Sequence, residues 1–121
     1  MPPAKGAWVQ RRFRLTHSRD FQHVRRSGKS YAHPLLVLVA LANEGPEVHV
    51  GVAASRTVGT AVKRNRAKRQ LRVAMQGLIR SVTPGWDLIL IARPSLVTSD
   101  YIEVRHALIG LLRRAQLLVA A

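Results

Sequence analysis

The sequence predicts one α+β domain, a sandwich in which a sheet of about four strands packs against three helices in the order α-β-β-β-α-β-α. A chain of 121 residues, 47% of them hydrophobic, has room for one domain with a modest core. Two apolar runs, residues 35–42 and 87–92, have the length of buried strands. A long segment with helical periodicity lies between them, so a strand, a helix and a strand follow one another as a crossover unit.

The first predicted element is a short helix, preceded by a stretch with adjacent prolines and little periodicity. We expect residues 1–10 to form a flexible basic arm. Thr16 or Ser18 is placed to cap the helix, Phe21 lies on its apolar side, and Gly28 is a natural terminator.

Strands are predicted next, beginning with a short pairing near residues 30–32. Pro34 separates that pairing from residues 35–42, whose continuous apolar character is typical of a strand buried on both faces. In residues 48–52 valines alternate with a histidine and a glycine, which predicts a strand with one face on the core and one face available to a ligand.

The long helix is predicted over residues 61–82, with Thr60 as its N-cap. Six cations fall within its first twelve residues, and Arg64 lies on the apolar stripe itself. Because an arginine cannot be buried unpaired, the first turn should extend beyond the core and present Arg64 and Arg66 as one cationic end. The remaining stripe is apolar and consists of Ala67, Leu71, Ala74, Met75, Leu78 and Val82.

The last two elements are a strand and a helix. Residues 87–92 form an apolar strand, which we expect to run parallel to the strand before the long helix. Thr98 or Ser99 opens the last helix, with Asp100 and Glu103 in its first turn. Its apolar stripe is expected to cover the sheet and consists of Val104, Leu108, Leu111, Leu112, Ala115 and Leu118.

Net charge restricts the possible partners. A formal charge of +14, from 20 Lys and Arg against 6 acids, attracts polyanions, and the resulting affinity falls steeply with salt. The competing polyanion is an anionic membrane, but the longest apolar run is too short to span a bilayer and the N-terminus lacks an apolar signal segment. An absence of cysteine excludes disulfides and thiolate metal sites. We therefore expect a cytoplasmic protein with no membrane partner.

The basic start of the long helix favours RNA over the other polyanions. A charge run is usually a solvated helix face. Cations at a helix N-terminus, however, oppose the macrodipole, and a polyanionic partner would offset that effect. The preceding residues, 55–60, form a polar turn with one glycine that lacks the spacing of a nucleotide-binding loop, so we interpret them as a positioning loop.

One motif is specific enough to indicate a family. Val58-Gly59-x-Ala61-Val62-x-Arg64-Asn65-Arg66-x-Lys68-Arg69-x-x-Arg72 resembles the Arg-Asn-Arg signature of the bacterial ribonuclease P protein subunit. Further blocks resemble the same family in the same order: residues 13–15, 19–22, 28–30, 50–55 and 87–93. The resemblance therefore covers residues 13–118. We place the domain over residues 11–121. The resemblance implies a fold like the second domain of a small-subunit ribosomal protein.

The resemblance also implies a function. The catalyst would be a large RNA that requires Mg²⁺, and this chain would help it to remove the 5′ leader of precursor tRNA while holding no cofactor itself. Contacts with the RNA subunit would come from Arg64, Asn65, Arg66, Lys68, Arg69, Arg72 and Lys63. The single-stranded leader would bind between the first helix and the sheet, at Phe13, Arg14, Phe21, Arg25, Lys29, Tyr31 and His49. Because the chain as a whole is poor in aromatic residues, we expect leader contacts to rely more on Arg25, His49 and Lys29 than on stacking.

No residue predicts catalysis by this chain, nor does any pattern predict a small-molecule substrate. The six acids are scattered at the ends of elements without the recurring spacing of a metal site, and the nearest histidine pair for acid–base chemistry is His17 and His23 near Lys29. We assign no catalytic residue and no metal ligand. The chief alternative is a structural, ribosomal-type protein that binds one folded RNA without supporting a reaction. Self-association is left open.

Overall fold

The computed structural model describes residues 18–119, which form the predicted α+β sandwich. In chain order the elements are α1 (Ser18–Ser27), β1 (Lys29–Ala32), β2 (Leu36–Ala42), β3 (His49–Ala54), α2 (Ala61–Gln76), β4 (Trp86–Ala92) and α3 (Tyr101–Arg114). Short 3-10 helices lie at Arg56–Val58, Ile79–Ser81 and Pro94–Thr98. The predicted arm over residues 1–10 and the candidate cap Thr16 lie outside the described residues. Within these residues, none of the helices combines the length and apolar character needed to cross a membrane.

The strand order in the sheet is β1-β2-β4-β3. β2 is antiparallel to both β1 and β4, whereas β3 runs parallel to β4, which confirms the parallel pair predicted for the strand–helix–strand unit. Ala54 pairs with Ala92, and Leu36 pairs with Ala92 from the other side. β3 and β4 therefore end at one edge, where β1 also ends and β2 begins; we call it the carboxyl edge of the sheet.

The sheet separates two apolar clusters of unequal size. α2 and α3 cover one face, where Leu38 and Leu90 pack with Leu71 and Leu108 in the main core. α1 covers the other face, where, among residues 18–119, Val24, Val39 and Ile89 are the fully enclosed side chains, with Phe21 packed against them. We call these the α2/α3 face and the α1 face. Because side chains alternate along a strand, each strand residue belongs to one of these faces.

α2 is shorter than predicted. It ends at Gln76, not near Val82, and Gly77 follows as its C-cap before the short 3-10 helix. Glycine is among the least favourable helix residues because it loses the most backbone entropy, so the helix stops there although the apolar pattern continues. The turn after Gly77 still brings Leu78 and Val82 into the core, where both are buried.

α3 begins later than predicted. Neither Thr98 nor Ser99 caps it, because Pro94–Thr98 forms a 3-10 helix of its own. Asp100 is the N-cap: its side chain accepts a hydrogen bond from the backbone N-H of Glu103, whose carboxylate in turn accepts from the N-H of Asp100. This reciprocal pair is a capping box, and the Asp-x-x-Glu spacing is the sequence signal that predicts it.

α1 lies directly on β2 because Gly28 has no side chain. The N-H of Gly28 donates to the carbonyl of Val24 at 2.7 Å and closes the last turn of the helix. A Cβ on Gly28 would lie 2.6 Å from that carbonyl oxygen and 2.7 Å from Cγ1 of Val39. The predicted terminator therefore also sets how closely α1 approaches the sheet.

Candidate nucleic-acid interface

The start of α2 is positioned by Gly59 and Thr60. Gly59 has φ 138° and ψ −149°, a conformation that glycine alone adopts without strain. A Cβ there would lie 2.8 Å from Cδ of Lys63, so the stem of that lysine rests against the glycine. The side chain of Thr60 accepts from the N-H of Lys63 at 3.3 Å, which confirms the predicted N-cap. The glycine in the signature thus has a geometric role.

The cations of α2 form what we call the cationic end, residues 63–69. Lys63, Asn65, Arg66 and Arg69 are exposed, whereas Arg64 and Lys68 are half-buried at its sides. No acidic residue occurs in the helix. Among residues 18–119, none of the carboxylates pairs with these cations. Their charge is therefore unneutralised by the described protein, at a helix terminus where the macrodipole adds positive potential.

Arg72 lies at the margin of this surface. Its side chain is half-buried, and its Nε is enclosed without a hydrogen-bond partner in the part of the chain that the structure describes. Arg72 therefore borders the cationic end and does not form part of it.

The α1 face carries three of the residues predicted to bind the leader. Phe21 is half-buried against Val39 and Ile89. Arg25 follows Phe21 by one helical turn and is exposed, so it lies beside the buried side of α1. His49 begins β3 opposite Asp87, and its neighbour Val50 belongs to the other face. The histidine therefore lies on the α1 face.

His49 is held by a polar network. Its Nδ1 lies 2.9 Å from Oδ1 of Asp87, and the same oxygen accepts from Nδ2 of Asn43 at 2.8 Å. Asn43 also donates to the carbonyl of Glu47 at 3.2 Å. Because a carboxylate only accepts, Nδ1 of His49 carries the hydrogen, and Nε2 remains for a ligand.

On the α1 face, α1 packs against β2 and β4, and His49 lies beyond it on β3; we call the surface between α1 and the start of β3 the groove. Gly28, at the end of α1, lies close to the carbonyl of Ala40, and Ala40 pairs with Leu88 beside the start of β3. The end of α1 and His49 are therefore at the same end of the sheet. β2 and β3 are separated by β4 and therefore lie roughly 10 Å apart at the usual strand spacing.

Two other predicted leader residues lie elsewhere. Lys29 pairs with Ala40 and Tyr31 pairs with Leu38, and both partners belong to the main core. Because directly paired residues lie on the same side of a sheet, Lys29 and Tyr31 are on the α2/α3 face and do not line the groove. Their assignment to the cleft is thereby corrected. Phe13 and Arg14 lie outside the described residues.

The structure also brings together two arginines that sequence reasoning did not select. Nη1 of Arg114, at the end of α3, donates to the carbonyl of Ala32 at 2.8 Å. Nη1 of Arg93, immediately after β4, donates to the carbonyl of His33 at 3.4 Å. Sequence reasoning had no signal for this pair, since each arginine is at least 60 residues from its partner.

The described residues offer no metal centre. Among residues 18–119, no three histidine, aspartate or glutamate side chains come close enough to hold an ion. The polar network around His49 contains one carboxylate and one imidazole beside an amide, which is an orienting arrangement and not the set of carboxylates that a divalent ion requires. The residues of this network therefore do not fit a divalent ion such as Mg²⁺.

Comparison with known proteins gives a consistent result. The family model Ribonuclease P matches residues 9–116. The ribonuclease P protein component of Herpetosiphon aurantiacus is 40% identical over 109 residues, which cover 90% of this chain and 89% of the relative. That of Listeria monocytogenes serotype 4a is 34% identical over 111 residues, covering 91% and 93%.

Solved structures agree. The chain is similar to the RNase P protein of Thermotoga maritima, with a TM-score of 0.75 and 30% identity over 84% of this chain and 96% of that one. It is also similar to the RNase P protein of Staphylococcus aureus, with a TM-score of 0.78 and 26% identity over 88% and 97%.

Proposed function

The chain belongs to the bacterial ribonuclease P protein family and is thus a subunit of an endoribonuclease ribonucleoprotein, and on that premise we propose how it works. It binds the catalytic RNA subunit through the cationic end of α2 and holds the 5′ leader of precursor tRNA in the groove on the α1 face. The RNA subunit then cleaves the precursor tRNA and so removes the leader. This work takes place in the cytoplasm.

The observation that carries the proposal is the acid-free start of α2. Gly59 and Thr60 fix its direction, and Arg64 and Arg66 extend from it without a carboxylate partner among the described residues. Arginine suits RNA because its planar fork binds a phosphate through two hydrogen bonds and stacks on bases. Asn65, between the two arginines, adds one donor group and one acceptor group.

The leader is held by charge and one aromatic ring. Phe21 offers a ring at the side of the groove, Arg25 adds a cation one turn later, and His49 offers Nε2 from the opposite side. Cations combined with a stacking surface are the usual means of binding a single strand without reading its sequence. The groove therefore binds leaders of many different sequences.

Chemistry is assigned to the RNA subunit, which holds the Mg²⁺ ions. Hydrolysis assisted by magnesium brings together two polyanions, and their phosphates repel one another. The positive charge of this chain screens that repulsion, which raises the affinity for substrate and for the ions around it. No step of the cleavage is assigned to a side chain of the protein.

Cleavage of a precursor tRNA at low Mg²⁺ tests the proposal. The three reactions contain the protein alone, a bacterial ribonuclease P RNA alone, and both together. We expect cleavage at the mature 5′ end in the mixture only. Activity of the protein alone would contradict the assignment of catalysis to the RNA, and tight RNA binding without stimulation would favour a purely structural RNA-binding protein.

Two variants test the RNA-subunit contact. Arg64→Ala and Arg66→Ala should each lower the slope of log K against log salt for RNA binding by about one unit, because each removes one phosphate contact. Arg80→Ala is the matched control: it removes the same charge from an exposed residue beyond the other end of α2. If all three variants bound the RNA alike while remaining folded, the cationic end would not be the contact.

A third variant tests the leader groove. Arg25→Ala should weaken binding of leader-bearing precursor tRNA to the assembled ribonucleoprotein and leave binding of leaderless tRNA unchanged. Arg26→Ala is its control, since Arg26 is exposed on α1 one residue further around the helix. Equal effects of the two variants would remove Arg25 from the groove.

A further inference from the structure

We propose that a second phosphate-binding site lies at the turn between β1 and β2, formed by Arg93, Arg114 and His33. Its ligand is a phosphodiester group of RNA, so the site rests on the proposed function. It is separate from the cationic end of α2 and from the groove on the α1 face. We call it the turn site.

The first observation is that two guanidinium groups converge on one short stretch of backbone. Arg114 donates to the carbonyl of Ala32 at 2.8 Å, and Arg93 donates to the next carbonyl, that of His33, at 3.4 Å. The backbone N-H of Arg93 also donates to the carbonyl of Leu35 at 3.0 Å, which fixes where its side chain begins. Each guanidinium has five N-H groups, so most of its donors remain for a ligand.

A third donor comes from His33. Its Nδ1 accepts a hydrogen bond from the N-H of Leu35 at 3.0 Å, so the hydrogen of the neutral ring is on Nε2. The neutral His33 ring therefore carries an N-H donor at Nε2, on the residue whose carbonyl Arg93 contacts.

Tyr31 holds Arg114 in place. The guanidinium carbon of Arg114 lies 5.9 Å from the centre of the Tyr31 ring, and Nζ of Lys29 lies 5.5 Å from the same centre. Both are within the range of a cation–π contact. The ring and the Ala32 carbonyl together restrict Arg114, so little conformational entropy is lost when it binds an anion. This also gives Lys29 and Tyr31 a place near RNA on the face where the structure puts them.

The second observation is that this positive charge is unpaired. In the part of the chain that the structure describes, neither Arg93 nor Arg114 has a carboxylate within ion-pairing distance. Both side chains are exposed. Hydrogen bonds to the backbone explain one N-H of each guanidinium, but they do not explain why two like charges are brought to adjacent carbonyls. A polyanion that binds both accounts for the arrangement.

The third observation is the position of the turn site on the carboxyl edge. α2 begins beyond the end of β3, at the same edge, and the order β1-β2-β4-β3 puts three strand spacings between β1 and β3. At the usual spacing this is roughly 14 Å. One folded RNA can therefore contact the cationic end and the turn site together, on one edge of the sheet.

Chemical footprinting of the protein without substitutions is the first test. Phenylglyoxal modifies exposed arginines, and mass spectrometry reports each position separately. The full-length protein is treated alone, with the ribonuclease P RNA, and with that RNA plus leader-bearing precursor tRNA. We expect Arg93 and Arg114 to become protected by at least severalfold. Protection in the second sample assigns the phosphate to the RNA subunit. Protection that occurs in the third sample but not in the second assigns it to the substrate.

The outcomes separate this inference from the proposed function. If Arg64 and Arg66 became protected while Arg93 and Arg114 stayed reactive in all three samples, the turn site would be refuted and the function would stand. If none of the four were protected, the proposed function itself would fail.

A variant gives an independent readout. Arg93→Gln together with Arg114→Gln removes two charges and keeps a neutral N-H donor on each side chain. We expect the salt slope for binding the assigned RNA to fall by about two units. The control, Arg26→Gln together with Arg80→Gln, removes two exposed charges elsewhere and should change the slope by less than about one unit. A loss of stability with an unchanged salt slope would show that the arginines only fasten the turn.

Discussion

Replacing Gly28 by alanine tests whether the close approach of α1 to the sheet is required. The new Cβ would lie 2.6 Å from the Val24 carbonyl oxygen and 2.7 Å from Cγ1 of Val39, well inside ordinary contact distance. Neither neighbour can yield freely, because one is backbone of the same helix and the other is a β-branched side chain that is 2% exposed. Relief of the contact with Val39 requires α1 to move away from β2, at an expected cost of about 1–3 kcal/mol from overpacking. Loss of the Gly28 to Val24 hydrogen bond would add about 1 kcal/mol.

Gly110→Ala is the matched control. Gly110 lies inside α3 and is exposed, and a Cβ added there would meet no neighbouring atom within 4 Å. The same substitution there should stabilise the protein by about 0.5–1 kcal/mol, because alanine has the higher helix propensity. Urea unfolding followed by circular dichroism measures both variants, and their midpoints should move in opposite directions.

Gly28→Ala also has a functional readout. If α1 moves, Arg25 and Phe21 move with it, so affinity for leader-bearing precursor tRNA should fall while affinity for the RNA subunit persists. A Gly28→Ala protein as stable as the unmodified chain would refute the reasoning about close approach, provided that Gly110→Ala was stabilising in the same experiment.

Two further substitutions test the termini of the other helices. Asp100→Ala removes the capping box of α3 and should lower the free energy of unfolding by about 1 kcal/mol, measured in urea, with RNA binding unchanged; an unaltered midpoint would mean that the box does not stabilise α3. Gly59→Ala places a side chain at φ 138° against Lys63 and should destabilise the protein by about 1–3 kcal/mol. Gly59→Ala should also weaken binding of the RNA subunit, measured in a filter assay without denaturant at a temperature where the variant is still folded. Normal binding in that assay would show that the direction of α2 does not depend on Gly59.

The order of elements was predictable because length and period are local properties of the sequence. The strands at residues 36–42 and 86–92 follow from continuous apolar runs, and the cationic end of α2 follows from the position of Arg64 on an otherwise apolar stripe. The end of α2 was mispredicted because the apolar pattern continues past Gly77 and masks the weaker signal of a single glycine.

Side-chain placement across the sheet was harder to predict. Tyr31 was assigned to the leader cleft, but its face depends on its pairing with Leu38, and a shift of one residue in register would reverse it. That register is set by the short turn between β1 and β2, where the N-H of His33 donates to the carbonyl of Leu36, and the sequence alone did not reveal the geometry of this turn. The pairing of Arg93 and Arg114 with the β1–β2 turn depends on tertiary structure in the same way.

The unequal division of the core between the two faces of the sheet has a dynamic consequence. Within residues 18–119, α1 is held by a cluster of three enclosed residues, whereas β4 lies between two strands and contributes to both clusters. Few enclosed contacts make local opening less costly than global unfolding. Amide hydrogens of α1 should therefore exchange with solvent through detachment of that helix alone, while those of β4 wait for the whole domain to open. A groove with one detachable wall can admit a nucleic-acid strand from the side, without threading an end.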